Sequence, residues 1–136
     1  MAQNQPTAKI LITIKREGCL GPCPVYSAEI YEDGTVVYHG EGGVKEESEK
    51  RHKIDPSRLS DLVAAFEKIN YFSLKDRYDT DEKGRSYTDT GATTTSILLK
   101  GKYKKVVDYY GGPKELVALE DLIDKLAGLY GYIGPL

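Results

Sequence analysis

Two cysteines come first among the residues able to do chemistry. Cys19 and Cys23 lie in the run Gly18-Cys19-Leu20-Gly21-Pro22-Cys23-Pro24. A thiolate pair at this spacing suits redox exchange, or it suits soft-metal binding of Cu(I), where His39 would complete the set. The same pair can instead close a tight loop if the two Cα atoms approach to roughly 5–6 Å. His39 and His52 are the only histidines. Each could serve as ligand or base, but each reads more simply as solvent-facing, and no further zinc ligands stand at matching spacing. Asp108 alternates with Val106 and Tyr110, so it is expected to point inward, either marking a titrating site or capping a nearby backbone group, the simpler reading.

Other chemistries fail on inspection. The loop from Asp76 to Gly84 can be tested as a calcium loop starting at Asp79. Asp81 and Gly84 fit positions three and six, but Lys83 and Thr90 fall where an oxygen ligand and a bidentate Glu are needed. There is no Gly-x-Ser-x-Gly elbow, no His-Glu-x-x-His and no phosphate-cradling Gly-rich loop with Lys. No catalytic residue, cofactor or resident metal is expected. Thr93 to Thr95 read as strand-forming sequence.

The elements that must hold these residues follow from composition and period. The chain has 136 residues, 40% hydrophobic and 29% charged, the size and balance of a single globular domain. A net charge of −2 gives no basic footprint for nucleic acid. No apolar run is long enough to span a membrane. Residues 1–8 are expected to be a flexible segment ahead of one domain over 9–136. Met1 to Thr7 has neither a basic n-region nor an apolar h-region, so no signal peptide is expected there. Those residues read as a mature N-terminus preceded by Met, and equally well as a cytosolic start.

Alternation predicts strands over Lys9–Arg16 and Val25–Tyr31, then a hairpin at Asp33-Gly34 into Thr35–His39. A charged edge strand is expected over Val44–Ile54. Asp55-Pro56 opens a helix carrying Leu59, Leu62, Val63, Phe66 and Ile69, which ends near Asn70. Lys75 to Gly91 reads as a loop. Strands over Ala92–Lys100 and Tyr103–Tyr110 follow, and Gly111-Gly112-Pro113 opens a second helix with Leu116, Leu119, Leu122, Ile123 and Leu126 on its apolar face. Adding 57 to Pro56, Leu59, Leu62, Glu67, Lys68 and Ile69 gives Pro113, Leu116, Leu119, Asp124, Lys125 and Leu126. That match fits two hairpin-helix units, a pseudo-repeat, and it fits equally the coincidence that any two amphipathic helices share apolar spacing. The expected fold is α+β in the order β-β-β-β-α-β-β-α. It is a twisted antiparallel sheet of about six strands with two helices packed on one face. Six strand tyrosines, Tyr26, Tyr31, Tyr38, Tyr103, Tyr109 and Tyr110, with Asp108, are expected to form a flat binding surface on the open face, unless the rings are simply half buried.

Gly18 to Tyr26 resembles the signature Gly-Cys-x-Gly-x-Cys-Pro-x-Tyr of an uncharacterised bacterial domain family of exported and lipid-anchored proteins. The likeness runs from about Ile10 to Tyr130. It includes Tyr71-Phe72-Ser73-Leu74, Thr93 to Thr95, Asp108-Tyr109, Leu119-Glu120 and Ile123-Asp124. It implies an exported, periplasmic or envelope location and supplies no reaction. In an oxidising compartment Cys19 and Cys23 are expected to form a disulfide worth ~2 kcal/mol. Cys-x-x-x-Cys-Pro also resembles the copper-chaperone motif of thioredoxin-fold assembly factors. There a helix follows and lowers the thiol pKa, whereas here a strand follows.

The expected function is therefore non-catalytic: binding or structure at the cell envelope, with a protein, peptide or glycan partner, as a monomer or weak homodimer. Thiol redox or copper handling by Cys19 and Cys23, with His39, is the alternative. An enzyme whose polar residues converge only in space is the third reading, with the open sheet face or an inward Asp108 as the place to look.

Overall fold

The structure is a computed structural model that describes residues 8–18, 23–80, 83–84 and 91–134. The expected N-terminal segment, Ala8 excepted, lies outside the described residues. Strands β1 (Ile10–Arg16), β2 (Val25–Tyr31), β3 (Thr35–Gly42) and β4 (Glu49–Lys53) come first. Helix α1 (Pro56–Lys68) and a 3-10 turn (Tyr71–Ser73) follow. Then come β5 (Arg77–Asp79), β6 (Thr93–Leu99), β7 (Lys102–Tyr110), α2 (Lys114–Leu126) and the short α3 (Tyr130–Ile133). The strands form one open sheet in the order β4-β3-β2-β1-β6-β7-β5. Every pairing is antiparallel except β5 with β7.

The α+β class and the antiparallel sheet follow the sequence reading, with three differences. First, the sheet has seven strands, not about six: β5 forms inside the expected Lys75–Gly91 loop. No apolar alternation announces it. The β7 amide of Val107 donates to the Asp76 carbonyl at 2.9 Å, and the Arg77 guanidinium lies 4.7 Å from the Tyr109 ring centroid. Second, β4 begins at Glu49 rather than Val44. The Lys45 and Glu46 amides donate to the carbonyls of Ile133 and Tyr132, each at 2.9 Å, so α3 takes donors that a longer strand would have offered elsewhere. Third, α3 itself was not expected, because Gly128, Gly131 and Gly134 punctuate that segment.

Local signals account for the rest. Gly34 has φ +88°, and a Cβ there would stand 2.7 Å from the Ile54 carbonyl oxygen, so the hairpin admits only glycine. Lys100 and Gly101 both have positive φ, as a two-residue turn between twisted strands requires. Pro56 takes the first position of α1, with Asp55 as N-cap though without a side-chain hydrogen bond to the helix. One sheet face contributes Ile12, Ile14, Ala28, Ile30, Val36, Ile97 and Val106 to the core. Leu62 and Phe66 of α1 and Leu116, Leu119 and Ile123 of α2 belong to the same buried cluster. Among the described residues, the opposite sheet face carries no helix.

Candidate functional site

The β1 alternation that buries Ile12 and Ile14 puts Arg16 on the same, helix-covered face. Arg16 stands opposite Tyr26 on β2 and Thr93 on β6. Thr93 stands opposite Asp108 on β7, and Asp108 opposite Tyr78 on β5. A polar row thus crosses five strands where the apolar core ends. Glu120 and Asp124, one helical turn apart, fall in the same stripe of α2 as Leu116, Leu119 and Ile123, and they are only 4% and 5% exposed.

The Arg16 guanidinium is engaged through all three nitrogens. Nε donates to the Tyr26 hydroxyl at 2.9 Å and to Asp124 Oδ2 at 3.2 Å. Nη2 donates to Asp124 Oδ2 at 2.9 Å and to the exposed Asp121 at 3.3 Å. Nη1 donates to Thr93 Oγ1 at 3.2 Å. The Tyr26 hydroxyl donates to Asp124 Oδ1 at 2.7 Å. Burial pushes the Asp124 carboxyl above the usual range, and the Arg16 and Tyr26 bonds pull it back. Burial also raises the Tyr26 phenol, with the Asp124 charge adding to it. For Arg16, burial opposes the charge, but Asp124 and Tyr26 raise its pKa overall. Nearby, Tyr71 and Thr95, both buried, share a hydroxyl–hydroxyl bond of 2.8 Å.

Glu120 has a different environment. Its carboxyl is pushed up to about 9, first by burial and then by hydrogen bonding and charge from Asp108. Its Oε2 is buried with no hydrogen-bond partner. A Cβ on Gly112 would come within 2.9 Å of Asp108 Oδ1, so glycine at the entry to α2 leaves the pair its space. The layer offers no activated nucleophile among the described residues. It can clamp α2 to the sheet through the bonds that Arg16 and Tyr26 make to Asp124.

The uncovered sheet face is built from two polar rows. Glu29, Thr13, Ser96 and Lys105 stand side by side across four strands, with the Thr13 and Ser96 hydroxyls bonded to each other. His39, Ser27, Lys15 and Thr94 form the next row. Between them runs a shallow groove of about 460 Å³ whose lining includes Thr13, Lys15, Ser27, Glu29, Thr94 and Lys105 together with the apolar Val107.

The expected tyrosine surface does not form as a unit. Tyr26 and Tyr38 are buried under the helices. The Tyr38 hydroxyl donates to the Glu46 carbonyl at 3.0 Å, and its ring lies 4.9 Å from that of Tyr132. Tyr110 is on the helix side and 49% exposed. Tyr31, Tyr103 and Tyr109 face the open side. Tyr103 and Tyr109 are six residues apart on one strand, roughly 20 Å. The physical reason is strand parity: tyrosines at both odd and even positions go to both faces.

Asp108 does face the helix side, where its charge and hydrogen bonding act on Glu120. His39 lies on the open face with Nε2 2.9 Å from Glu29 Oε1. His52 is not a free surface residue. Its Nε2 donates to the Ala127 carbonyl at 2.7 Å, leaving Nδ1 for the Tyr132 hydroxyl at 2.8 Å. It ties β4 to the C-terminal turn. Cys19 lies outside the described residues, and with it the Cys19–Cys23 pairing and any copper set of Cys19, Cys23 and His39. Asp81, Glu82 and residues 85–90 of the tested calcium loop also lie outside them. Among the described residues no three His, Cys, Asp or Glu groups are placed to hold a metal ion. No helix among them is long and apolar enough to cross a membrane.

The sequence reading missed Arg16, Glu120 and the clamp around Asp124. Two signals were present: an Arg continuing the Ile12–Ile14 period, and two acids at apolar-face spacing on α2. Tyr26, Tyr71, Thr93, Thr95, Asp108, Glu120 and Asp124 all carried the family likeness and all lie in this layer.

Fold and site together define an α+β domain with an open, mostly antiparallel sheet, two helices on one face, and a polar clamp beneath the second. The chain belongs to DUF6438, a domain of unknown function, which it matches over residues 10–127, from the first residue of β1 to just past α2. No curated protein matches it in sequence.

Proposed function

We propose that this chain is a non-catalytic module of the bacterial cell envelope that binds an extended polar chain, peptide or glycan, across the uncovered face of its sheet. The observation that carries the reading is the groove between the two rows of hydroxyl and charged side chains on that face. Regularly spaced hydroxyls with Lys and Glu at hand suit a ligand rich in hydrogen-bonding groups. The polar layer under α2 supports the non-catalytic part: its strongest donors and acceptors are engaged with one another and serve to fix the helix. The envelope location rests on the family likeness, and a Cys19–Cys23 disulfide is part of the proposal rather than support for it.

The test is a pelleting assay on isolated cell-wall glycan, run beside selection from a displayed random-peptide library. The comparison protein carries Ser27→Arg and Thr94→Arg, both half-exposed and outside the core. The wild type is expected to bind one of the two ligands and the double variant to lose at least tenfold in affinity. Equal binding by both proteins would remove this face from the function, and no binding to either ligand would overturn the reading. Thiol titration before and after denaturation, without reductant, is expected to find none. Stoichiometric free thiols or bound copper would move the function to Cys19 and Cys23 instead.

A further inference from the structure

We infer that β4 is a docking edge, to which an extended peptide bearing carboxylates adds as a further strand of the sheet. The surface is the rim of the sheet at β4, so the inference goes beyond the open-face reading and does not depend on it.

β4 stands at one end of the sheet and pairs with β3. Two flanking bonds fix which positions of that ladder are bonded. Gly40 donates to the Ser48 carbonyl at 3.0 Å, and Ile54 donates to the Gly34 carbonyl at 2.9 Å. In the same register Tyr38–Lys50 and Val36–His52 are the bonded pairs, because bonded and non-bonded pairs alternate in an antiparallel ladder. The amides and carbonyls of Glu49, Arg51 and Lys53 therefore point away from β3. Among the described residues no other backbone group bonds to them, and all three residues are exposed. They form an evenly spaced row of donors and acceptors, the pattern that an added strand pairs with. The opposite edge offers less: β5 has three residues, and its pairing with β7 is irregular.

Charge selects the occupant. Charged edges turn away strands of like charge, and β4 carries three Lys and Arg against one Glu. Glu49 is engaged by Arg51 at 3.0 Å, and Lys50 stands 3.5 Å from Glu46. Lys53, and Arg58 on the first turn of α1, make no ion pair among the described residues. Both line a cavity of about 400 Å³ at the C-terminal end of β4, whose wall also includes His52, Tyr132 and one acid, Asp55. A peptide carboxylate entering it meets two cations that no acid holds within ion-pair distance. A second copy fits less well. Two β4 strands paired about Arg51 gain two Glu49–Lys53 contacts, but they set Arg51 against Arg51 and bring two net-positive edges together.

The test is fluorescence anisotropy with two short labelled peptides, one alternating Glu and Val, the other Lys and Val. The Glu peptide is expected to bind at least about tenfold tighter, and more weakly as salt is raised. N-methylation of alternate backbone amides of that peptide removes either the donors facing β4 or those facing away. One pattern is expected to lose at least about tenfold in affinity and the other to keep it. Arg51→Pro deletes the outward amide and spares the inward bonds of Lys50 and His52. It is expected to weaken binding more than Arg51→Ala, which removes the charge alone. Arg58→Ala is expected to weaken binding several-fold, and the Ser27→Arg, Thr94→Arg protein to bind as the wild type does. Absent binding, equal affinity for the two peptides, or equal loss from both methylation patterns would overturn the docking edge. The methylation result holds for the wild-type protein even if Arg51→Pro fails to fold. Sedimentation of the peptide-free protein as a dimer that Arg51→Pro dissolves would assign the edge to a second copy and overturn the inference as well.

Discussion

Helices α1 and α2 match at apolar spacing with an offset of 57, yet they do different things with the same register. On α1, Val63 and Glu67 stand where α2 has Glu120 and Asp124. Val63 is half-buried and Glu67 exposed, so α1 lies over the sheet through apolar side chains, Leu62 and Phe66 buried and Leu59 and Ala65 partly so. On α2 the corresponding pair is buried and meets Arg16, Tyr26 and Asp108. Apolar burial holds a helix against a sheet without fixing its rotation finely, since methyl groups tolerate small slips. A directional cluster of charged hydrogen bonds fixes one rotation and one height. The difference between the helices is thus between adhesion and registration.

That contrast can be broken most strongly at Asp124. Asp124→Ala leaves the largely buried Arg16 with the exposed Asp121 as its only carboxylate partner among the described residues and takes the acceptor from the Tyr26 hydroxyl, so about 3 kcal/mol of stability should be lost. Glu67→Ala at the matched position should cost less than about 0.5 kcal/mol. Urea unfolding of the two variants measures the gap directly, and equal costs would erase the distinction. Leu62→Ala and Leu119→Ala sharpen it from the other side. Both leucines are buried at matched positions, so each should cost about 2–4 kcal/mol, and within roughly 1 kcal/mol of the other. A smaller effect belongs to Tyr26→Phe, which keeps the ring and removes one donor to Asp124. About 1–2 kcal/mol is expected in the same assay, and no change would mean that Arg16 alone satisfies the carboxylate.

Much of the frame was legible because it obeys simple periods. Ile12 and Ile14, the Asp33-Gly34 hairpin, the Pro56 start and the leucines of both helices all announce their elements locally. What was not legible depends on contacts distant in the chain. β5 exists because β7 has an edge to pair and Tyr109 a ring to stack on. The segment from Val44 to Ser48 leaves the expected strand because α3, some ninety residues later, takes its amides. Tyr26 and Tyr38 read as surface candidates because a tyrosine's period does not say which end of its side chain finds water. Glu120 and Asp124 went unread although they carried a signal: acids inside an apolar stripe announce a buried partner, without saying that it is Arg16.

The Arg16–Asp124 bond also has a consequence for the order in which the chain is made. Strands β1 to β4 form a run of neighbours, β1 beside β2, β2 beside β3, β3 beside β4, so they can pair as they leave the ribosome. The β1 edge that later receives β6 stays open until residue 93 arrives, and Arg16 and Tyr26 face a helix that is not yet synthesised. Their acid partner is residue 124 of 136. A nascent or truncated chain that stops before α2 therefore holds a paired half-sheet with an unanswered positive charge at its margin. That charge is a built-in mark of incompleteness, and it discourages two half-made chains from joining along the open β1 edge.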